Sequence, residues 1–279
     1  MRMVLAVMID LWIDAASRRW LLALFAGVSL LLVGLGFSLE LEVVDGALAA
    51  TKLFGDVVSS GVLQAADVAL RPLVKGVSYV VFYGWLLFGI FVTADFGPSL
   101  LQPGRIEHLL SLPVRRAELL LGTYLGVLGI ASAFAFYATG GAVLILYVKA
   151  GLFLPRLVAA SGLAVVVFMA IYSAMLCTAL FVRSAALSAL VGAGLFILGL
   201  IAGERSHLLP MFSAGFSRSA FDLIIRFFPP ISRFGDLGAD YAVASGIDAP
   251  YLAVHLLGVL LFAVASLGIG LVRFEGRDF

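Results

Sequence analysis

Residues 157–182 read LVAASGLAVVVFMAIYSAMLCTALFV, and no Asp, Glu, Lys, Arg or His interrupts them between Arg156 and Arg183. A helix needs roughly 20 apolar residues to cross a hydrocarbon core of about 30 Å, because lipid offers the backbone amides no outside partner. This stretch exceeds that length. Strands of a transmembrane barrel would instead be segments of about ten residues alternating in polarity, whereas this run is apolar on every face. It is a membrane-spanning helix.

Working outward, the same criterion picks out five more runs, at 20–39, 77–94, 119–148, 184–203 and 251–272. The run at 119–148 is long enough to tilt or to project beyond the bilayer. Composition agrees: 63% of the 279 residues are hydrophobic and 13% charged, about half the charged share of a soluble domain. Length alone would suggest about two domains, but apolar runs from end to end argue for one membrane domain over 1–279. The expected fold class is an all-α integral membrane protein with six transmembrane helices. The first run, from Trp20, is longer than a signal-peptide core, and the nearest small-x-small site, Ala47-Leu48-Ala49, is distant. It reads as a retained anchor.

An even number of spans puts both termini on one side. With that side cytoplasmic, the inner segments hold Arg2, Arg18, Arg19, Arg105, Arg115, Arg116, Arg183, Arg273 and Arg277, and the longer outer segments hold the other nine Lys and Arg. The counts tie, but the pairs Arg18/Arg19 and Arg115/Arg116 abut span ends, where the positive-inside bias acts. Both termini are therefore expected in the cytoplasm, with the chain in the cell (inner or plasma) membrane.

Three segments between the runs have amphipathic spacing. Ahead of the first run, Asp10, Asp14 and Ser17 share one stripe, apart from Val7, Met8, Leu11, Trp12 and Ala15. That pattern suits an interfacial helix lying along the headgroups. Between the first two runs, Asp45, Lys52, Asp56, Gln64, Asp67 and Arg71 recur at helical spacing, which predicts a helix with one wet face. Between the last two, Arg218, Asp222 and Arg226 follow at i, i+4, i+8, opposite Phe221, Ile224, Ile225 and Phe228, and Pro229-Pro230 stops the pattern. A solvated charged face is the simpler reading of these residues, and a substrate-contacting cap the sharper one.

Several chemistries lack their residues. Lys52, Lys75 and Lys149 are the only lysines, and none sits in a G-x-x-x-x-G-K-[ST] phosphate loop. Asp95-Phe96-Gly97 spells the kinase magnesium triplet without the other kinase elements. His108, His207 and His255 are far apart and lack zinc-ligand spacing, so no metal is expected. A net charge of +1 offers no basic field for nucleic acid. The single Cys177 cannot form an intramolecular disulfide. His255, a turn inside the last run, lies close enough to the interface to favour a neutral hydrogen-bonded imidazole over a proton relay. Gly122 and Gly126 form a G-x-x-x-G pattern that permits close helix approach.

The segment GRIEHLLSLPVRRAELLLGTYLG, residues 104–126, is short, charged and broken by proline between two apolar runs. Ile106, Leu109 and Leu110 fall on one side of a short helix, with Arg105, Glu107, His108 and Ser111 on the others. Pro113 ends that helix and suits the first turn of the next. Arg115 and Arg116 would sit at headgroups, and Glu118 near the positive helix N-terminus. Periodicity alone fits a lever joined rigidly to the third span and an ordinary interfacial loop helix equally well.

This segment resembles the G-T-L-E-x-L-L-x-x-P-V-[SR]-R-x-E-L-L-x-G-K-x-L-G stretch of permease subunits of type-2 class ABC exporters. The matching residues are Gly104, Glu107, Leu109, Leu110, Pro113, Val114, Arg116, Glu118, Leu119, Leu120, Gly122, Leu125 and Gly126. The ending FEGRDF, 274–279, is similar to an R-R-D-[LIF] terminus common there, and 229–252 is similar to the segment before the last span. Arg105 stands where threonine is usual, Thr123 where lysine is usual, and SLLQP replaces acidic residues before the glycine.

The resemblance implies a cytoplasmic coupling helix within loop 95–118, with Gly104, Arg105, Glu107, Leu109, Leu110, Pro113, Arg115, Arg116 and Glu118 in ATPase coupling. It also implies a separate ABC ATPase subunit that carries ATP and magnesium, and a second copy of the permease or a homologous one. The chain itself would hold no cofactor and catalyse nothing. Two alternatives stay open: an ATPase-driven membrane anchor or force-transmitting component that moves no solute, and a membrane-embedded lipid- or peptide-processing enzyme. Apolar span faces without a run of acids or histidines lean away from a metal-ion path and leave lipids, amphiphiles, glycans and peptides as substrates.

Overall fold

The computed structural model describes the chain except residues 1, 18, 45–46, 54–55, 66–70, 112–113, 152, 213–214, 244–248 and 277–279. Helix α1 (Arg2–Ser17) leads into α2 (Arg19–Ser38), and strands β1 (Leu39–Val44), β2 (Ala47–Leu53) and β3 (Asp56–Ala65) follow. Then come α3 (Arg71–Thr93), short α4 (Phe96–Leu100), α5 (Arg105–Ser111), α6 (Arg116–Ala150), α7 (Pro155–Val182) and α8 (Ala185–Gly203). A cap of α9 (Arg205–Leu208), a 3-10 turn (Leu209–Met211), α10 (Phe216–Ile225) and α11 (Ile231–Ala242) precedes the final α12 (Ala249–Glu275). Among the described residues six helices are long and apolar enough to cross a membrane: Leu21–Ser38, Arg71–Leu100, Arg116–Lys149, Pro155–Val182, Ala185–Gly203 and Ala249–Glu275. They agree with the runs read from the sequence to within a few residues. The exception is the second, which starts earlier, at Arg71, and carries its apolar character through α4.

The uncharged stretch at 157–182 lies at the centre. Val167, Phe168, Ala170, Ile171, Tyr172 and Met175 of α7 are all but inaccessible. In the 18-residue apolar windows of α6 and α7, 56% of the residues are buried, against 6% in that of α2 and 11% in that of α12. An aromatic stack runs through this core from Trp85 to Phe168, Tyr172 and Tyr124, with ring centroids 5.1, 5.8 and 6.0 Å apart. The Tyr124 hydroxyl donates to the Met169 carbonyl at 2.9 Å, tying α6 to α7. Arg183 in the left-handed conformation (φ 52°) ends α7, and the Ser184 hydroxyl accepts the Leu187 N–H to start α8, so the chain reverses within two residues.

At 35 residues α6 is about 52 Å long, more than the hydrocarbon core requires. Its first turn meets the last turn of α12: Arg116 donates to the carbonyls of Phe274 (3.1 Å) and Glu275 (2.8 Å). Gly97 of α4 packs against Ala179 near the C-terminus of α7. One end of the bundle, called here the α5 end, thus gathers α4, α5, the start of α6 and the ends of α7 and α12.

Two segments differ from expectation. Residues 39–44, 47–53 and 56–65 form an antiparallel sheet of order β1-β2-β3, not an amphipathic helix. The polar residues there are sparse enough to satisfy several periods. The local signals that decide it are the two-residue alternation Leu39-Glu40-Leu41-Glu42 and β-branched residues such as Val43, Val44, Val57 and Val58. Pairing sets Leu39 opposite Leu53 and Glu40 opposite Lys52, with register shifts farther along.

At the other end, Pro229-Pro230 does stop the helix before it, but the chain then enters the bundle again as α11. Ile231, Phe234, Gly235, Gly238 and Ala239 bury one side of α11 among α3, α7 and α8. A Cβ on Gly199 would collide with Ile231, and one on Gly203 with Ser232. Only glycine permits this approach. Outward-leaning polar groups of α11 find partners on α3: Asp236 accepts from the Tyr79 hydroxyl at 2.8 Å, and Asp240 pairs with Lys75 at 2.6 Å.

Candidate functional site

Loop 95–118 is built as a base with a small helix on it. All of α4 is buried, and a Cβ on Gly97 would stand 2.7 Å from that of Ala179, so α4 is seated directly on α7. After Leu101 the chain becomes exposed at Gln102, Pro103 and Gly104. Gly104 has φ +81°, a left-handed turn that redirects the chain into α5. Within α5, Ile106 is buried and Leu109 packs on the core, while Glu107 and Ser111 are exposed. The apolar side expected from the spacing is therefore the docked side. Leu110 lies within α5, and Pro113 falls outside the described residues.

Arg105 opens α5 and reaches across to α1, where its Nη1 donates to the Asp14 carboxylate at 3.1 Å. Both side chains are about 30% accessible (29% and 32%), so the pair is worth about 1 kcal/mol at most. Its main effect is to fix position. At the start of α6, Arg115 is exposed and extended, and its N–H donates to Glu118 at 3.2 Å. Glu118 thereby satisfies one of the orphan donors at the helix N-terminus, where a carboxylate is favoured. Arg116 turns the other way, to the carbonyls that end α12, where a cation is favoured for the same reason.

Helix α1 completes the base. Val7 lies against Gly122 of α6, Leu11 and Met8 against Gly126, and Trp12 against Gly129. Trp12 also donates from its ring N–H to the Gly126 carbonyl at 2.9 Å. The G-x-x-x-G pattern is thus a groove for the N-terminal helix. A small crevice marks where α1, α4, α5 and α6 meet, among Val7, Leu11, Phe96, Arg105, Leu109 and Thr123. The opposite side of α1 exposes Leu5, Ile9 and Ile13, an apolar stripe at helical spacing.

The structure therefore brings together Gly104, Arg105, Leu109, Arg115, Arg116 and Glu118 at the α5 end, with Glu107 exposed on α5. Three parts escape a reading of the sequence: Asp14 as the partner of Arg105, the α12 terminus as the partner of Arg116, and α4 as a seat. Asp14 and Arg105 each stand out in the sequence as polar residues beside apolar ones. Their pairing across 91 positions does not.

A family model for ABC-2 family transporter proteins matches residues 101–279. That is well over half of the chain. The chain belongs to the ABC-2 transporter family. The ABC-2 match opens in the turn before α5 and takes in the loop helix and the last four spans, so it includes every residue from Gly104 to Glu118. The chain is accordingly a permease component of an ABC transporter and a multi-pass membrane protein. No curated protein matches it.

Proposed function

We propose that this permease is the membrane half of an ATP-driven exporter, and that α5 is the element on which a separate ABC ATPase subunit acts. The observation that carries the proposal is how α5 is mounted. Its outer side, with Glu107, is accessible, while its inner side rests on α1, α4 and α6. A partner seated on α5 would move the base of α6, and through Arg116 the end of α12 would follow. The α5 end then faces the cytoplasm, with both termini on that side. Exposed apolar faces of α2 and α12 suit lipid and a second permease, identical or homologous.

ATP and magnesium belong to the partner in this reading, since no phosphate loop occurs in the chain. Nucleotide can shift the permease between conformations only as far as it binds one of them better, so the docked subunit must fit α5 differently in the two states.

Purification in mild detergent from the native membrane should bring down a subunit bearing a P-loop. With that complex in vesicles, Glu107→Arg and Leu110→Pro are expected to leave ATP hydrolysis running while transport falls at least tenfold. Both variants remaining coupled, or a chain fully active without any ATPase, would overturn the proposal.

A further inference from the structure

At the end of the bundle away from α5, a cleft of about 480 Å³ opens among α8, α10, α11 and α12. Three guanidinium groups line it, those of Arg205, Arg226 and Arg233, and no carboxylate stands among the described lining residues. Behind the cleft, Asp222 pairs with Arg205 and, at 2.7 Å, with Arg226. Arg233 is held by neutral acceptors: its Nε–H donates to the Gly203 carbonyl at 2.8 Å and its Nη2 to the Ser206 hydroxyl at 2.7 Å. A guanidinium has five N–H donors, so these bonds leave Arg233 capacity for a ligand. Among the described residues, three cations against one carboxylate leave two positive charges uncompensated in the cluster. Glu204, next in sequence to Arg205, is exposed and does not line the cleft.

Much of the rest of the wall is apolar. Phe227, Phe228 and Val254 line it, and Tyr251 and His255 flank it, with the His255 ring held by its Nδ1 on the Tyr251 carbonyl at 2.8 Å. Met211, Phe216, Leu223 and Phe227 stand exposed on the surrounding cap (79%, 89%, 62% and 72% accessible). A rim of this kind suits acyl chains better than water. Forked guanidinium donors match phosphate oxygens, and two surplus charges match a phosphate monoester better than a carboxylate.

We propose that this cleft binds the phosphate group of an anionic amphiphile, with the three arginines on the headgroup and the phenylalanines beside the first carbons of its tail. The site stands whether or not α5 couples to an ATPase, and in whichever direction solute moves.

The test is titration of the purified full-length chain, in neutral detergent, with dihexanoyl phosphatidic acid and with dihexanoyl phosphatidylcholine, read by native mass spectrometry. Wild type should prefer the phosphatidic acid, and Arg233→Gln should weaken that binding by about tenfold or more, the loss expected for one charge-assisted hydrogen bond. Arg226→Gln, at a side chain 59% accessible and with Asp222 still paired to Arg205, should weaken it in the same direction. Phosphatidylcholine binding should not change. Adding inorganic phosphate at millimolar concentration separates the sources: displacement assigns the site to a phosphate ion as such, and persistence assigns it to the lipid. Equal binding of the two lipids by wild type, or wild-type affinity in both variants, would overturn the proposal.

Discussion

At the scale of single residues, Arg116 joins two spans that are far apart in sequence. Its guanidinium serves the last carbonyls of α12, groups that have no partner within their own helix. Arg116→Gln keeps a hydrogen-bonding side chain but loses the charge and the reach. It is expected to lower stability by about 1–2 kcal/mol, visible as a lower thermal transition in detergent. An unshifted transition would show that α12 ends without help from α6. Its neighbour Arg115 differs although the two are adjacent, since Arg115 is exposed and uses its backbone rather than its side chain to meet Glu118.

At the scale of elements, α1 and α6 show how closely packing depends on missing side chains. A Cβ on Gly122 would stand 2.7 Å from Val7, so Gly122→Leu should dislodge α1 while leaving the spans inserted. Faster backbone hydrogen exchange across residues 4–12, with unchanged exchange in α7, is the expected signature. At the other end, α10 is held by Asp222. Burial raises the proton affinity of that carboxyl, but the Arg205 hydrogen bond and the two guanidinium charges outweigh it and hold the group below its ordinary value of 3.8. A carboxyl lowered in the folded state stabilises above its unfolded value and loses that contribution as pH falls through the folded one. Acidification below about pH 4 should therefore loosen α10, and Asp222→Asn should flatten that response in a pH series of thermal transitions.

Elements also differ in how far they are legible. The six spans could be read because lipid imposes one length and one polarity on each. The docked side of α5 could be read because Ile106 and Leu109 sit at helical spacing. The sheet formed by β1, β2 and β3 is not legible in the sequence, because a handful of polar residues fits more than one period and strand pairing is decided by partners rather than by spacing. Helix α11 left a trace, small residues at 235, 238 and 239, but its insertion depends on Gly199 and Gly203 in a different helix. For the same reason, the Asp14–Arg105 and Arg116–α12 contacts were out of reach.

On the scale of the whole molecule, the bundle has a rigid middle and two dissimilar ends. The aromatic stack from Trp85 to Tyr124 and the buried face of α7 form the middle. The α5 end is a small helix on a packed seat, and the far end is a basic cleft under an apolar cap. Displacement of α6 would act along its whole 35 residues, since a packed helix transmits strain rather than absorbing it.

The groove at Gly122, Gly126 and Gly129 also bears on how the protein is made. Helix α1 leaves the ribosome more than a hundred codons before its resting place on α6 is translated. At ordinary elongation rates that interval is roughly ten seconds. Through those seconds Leu11 and Ala15 need other cover, from lipid or a chaperone, so a truncated chain that stops before residue 122 should be an avid client of the insertion machinery.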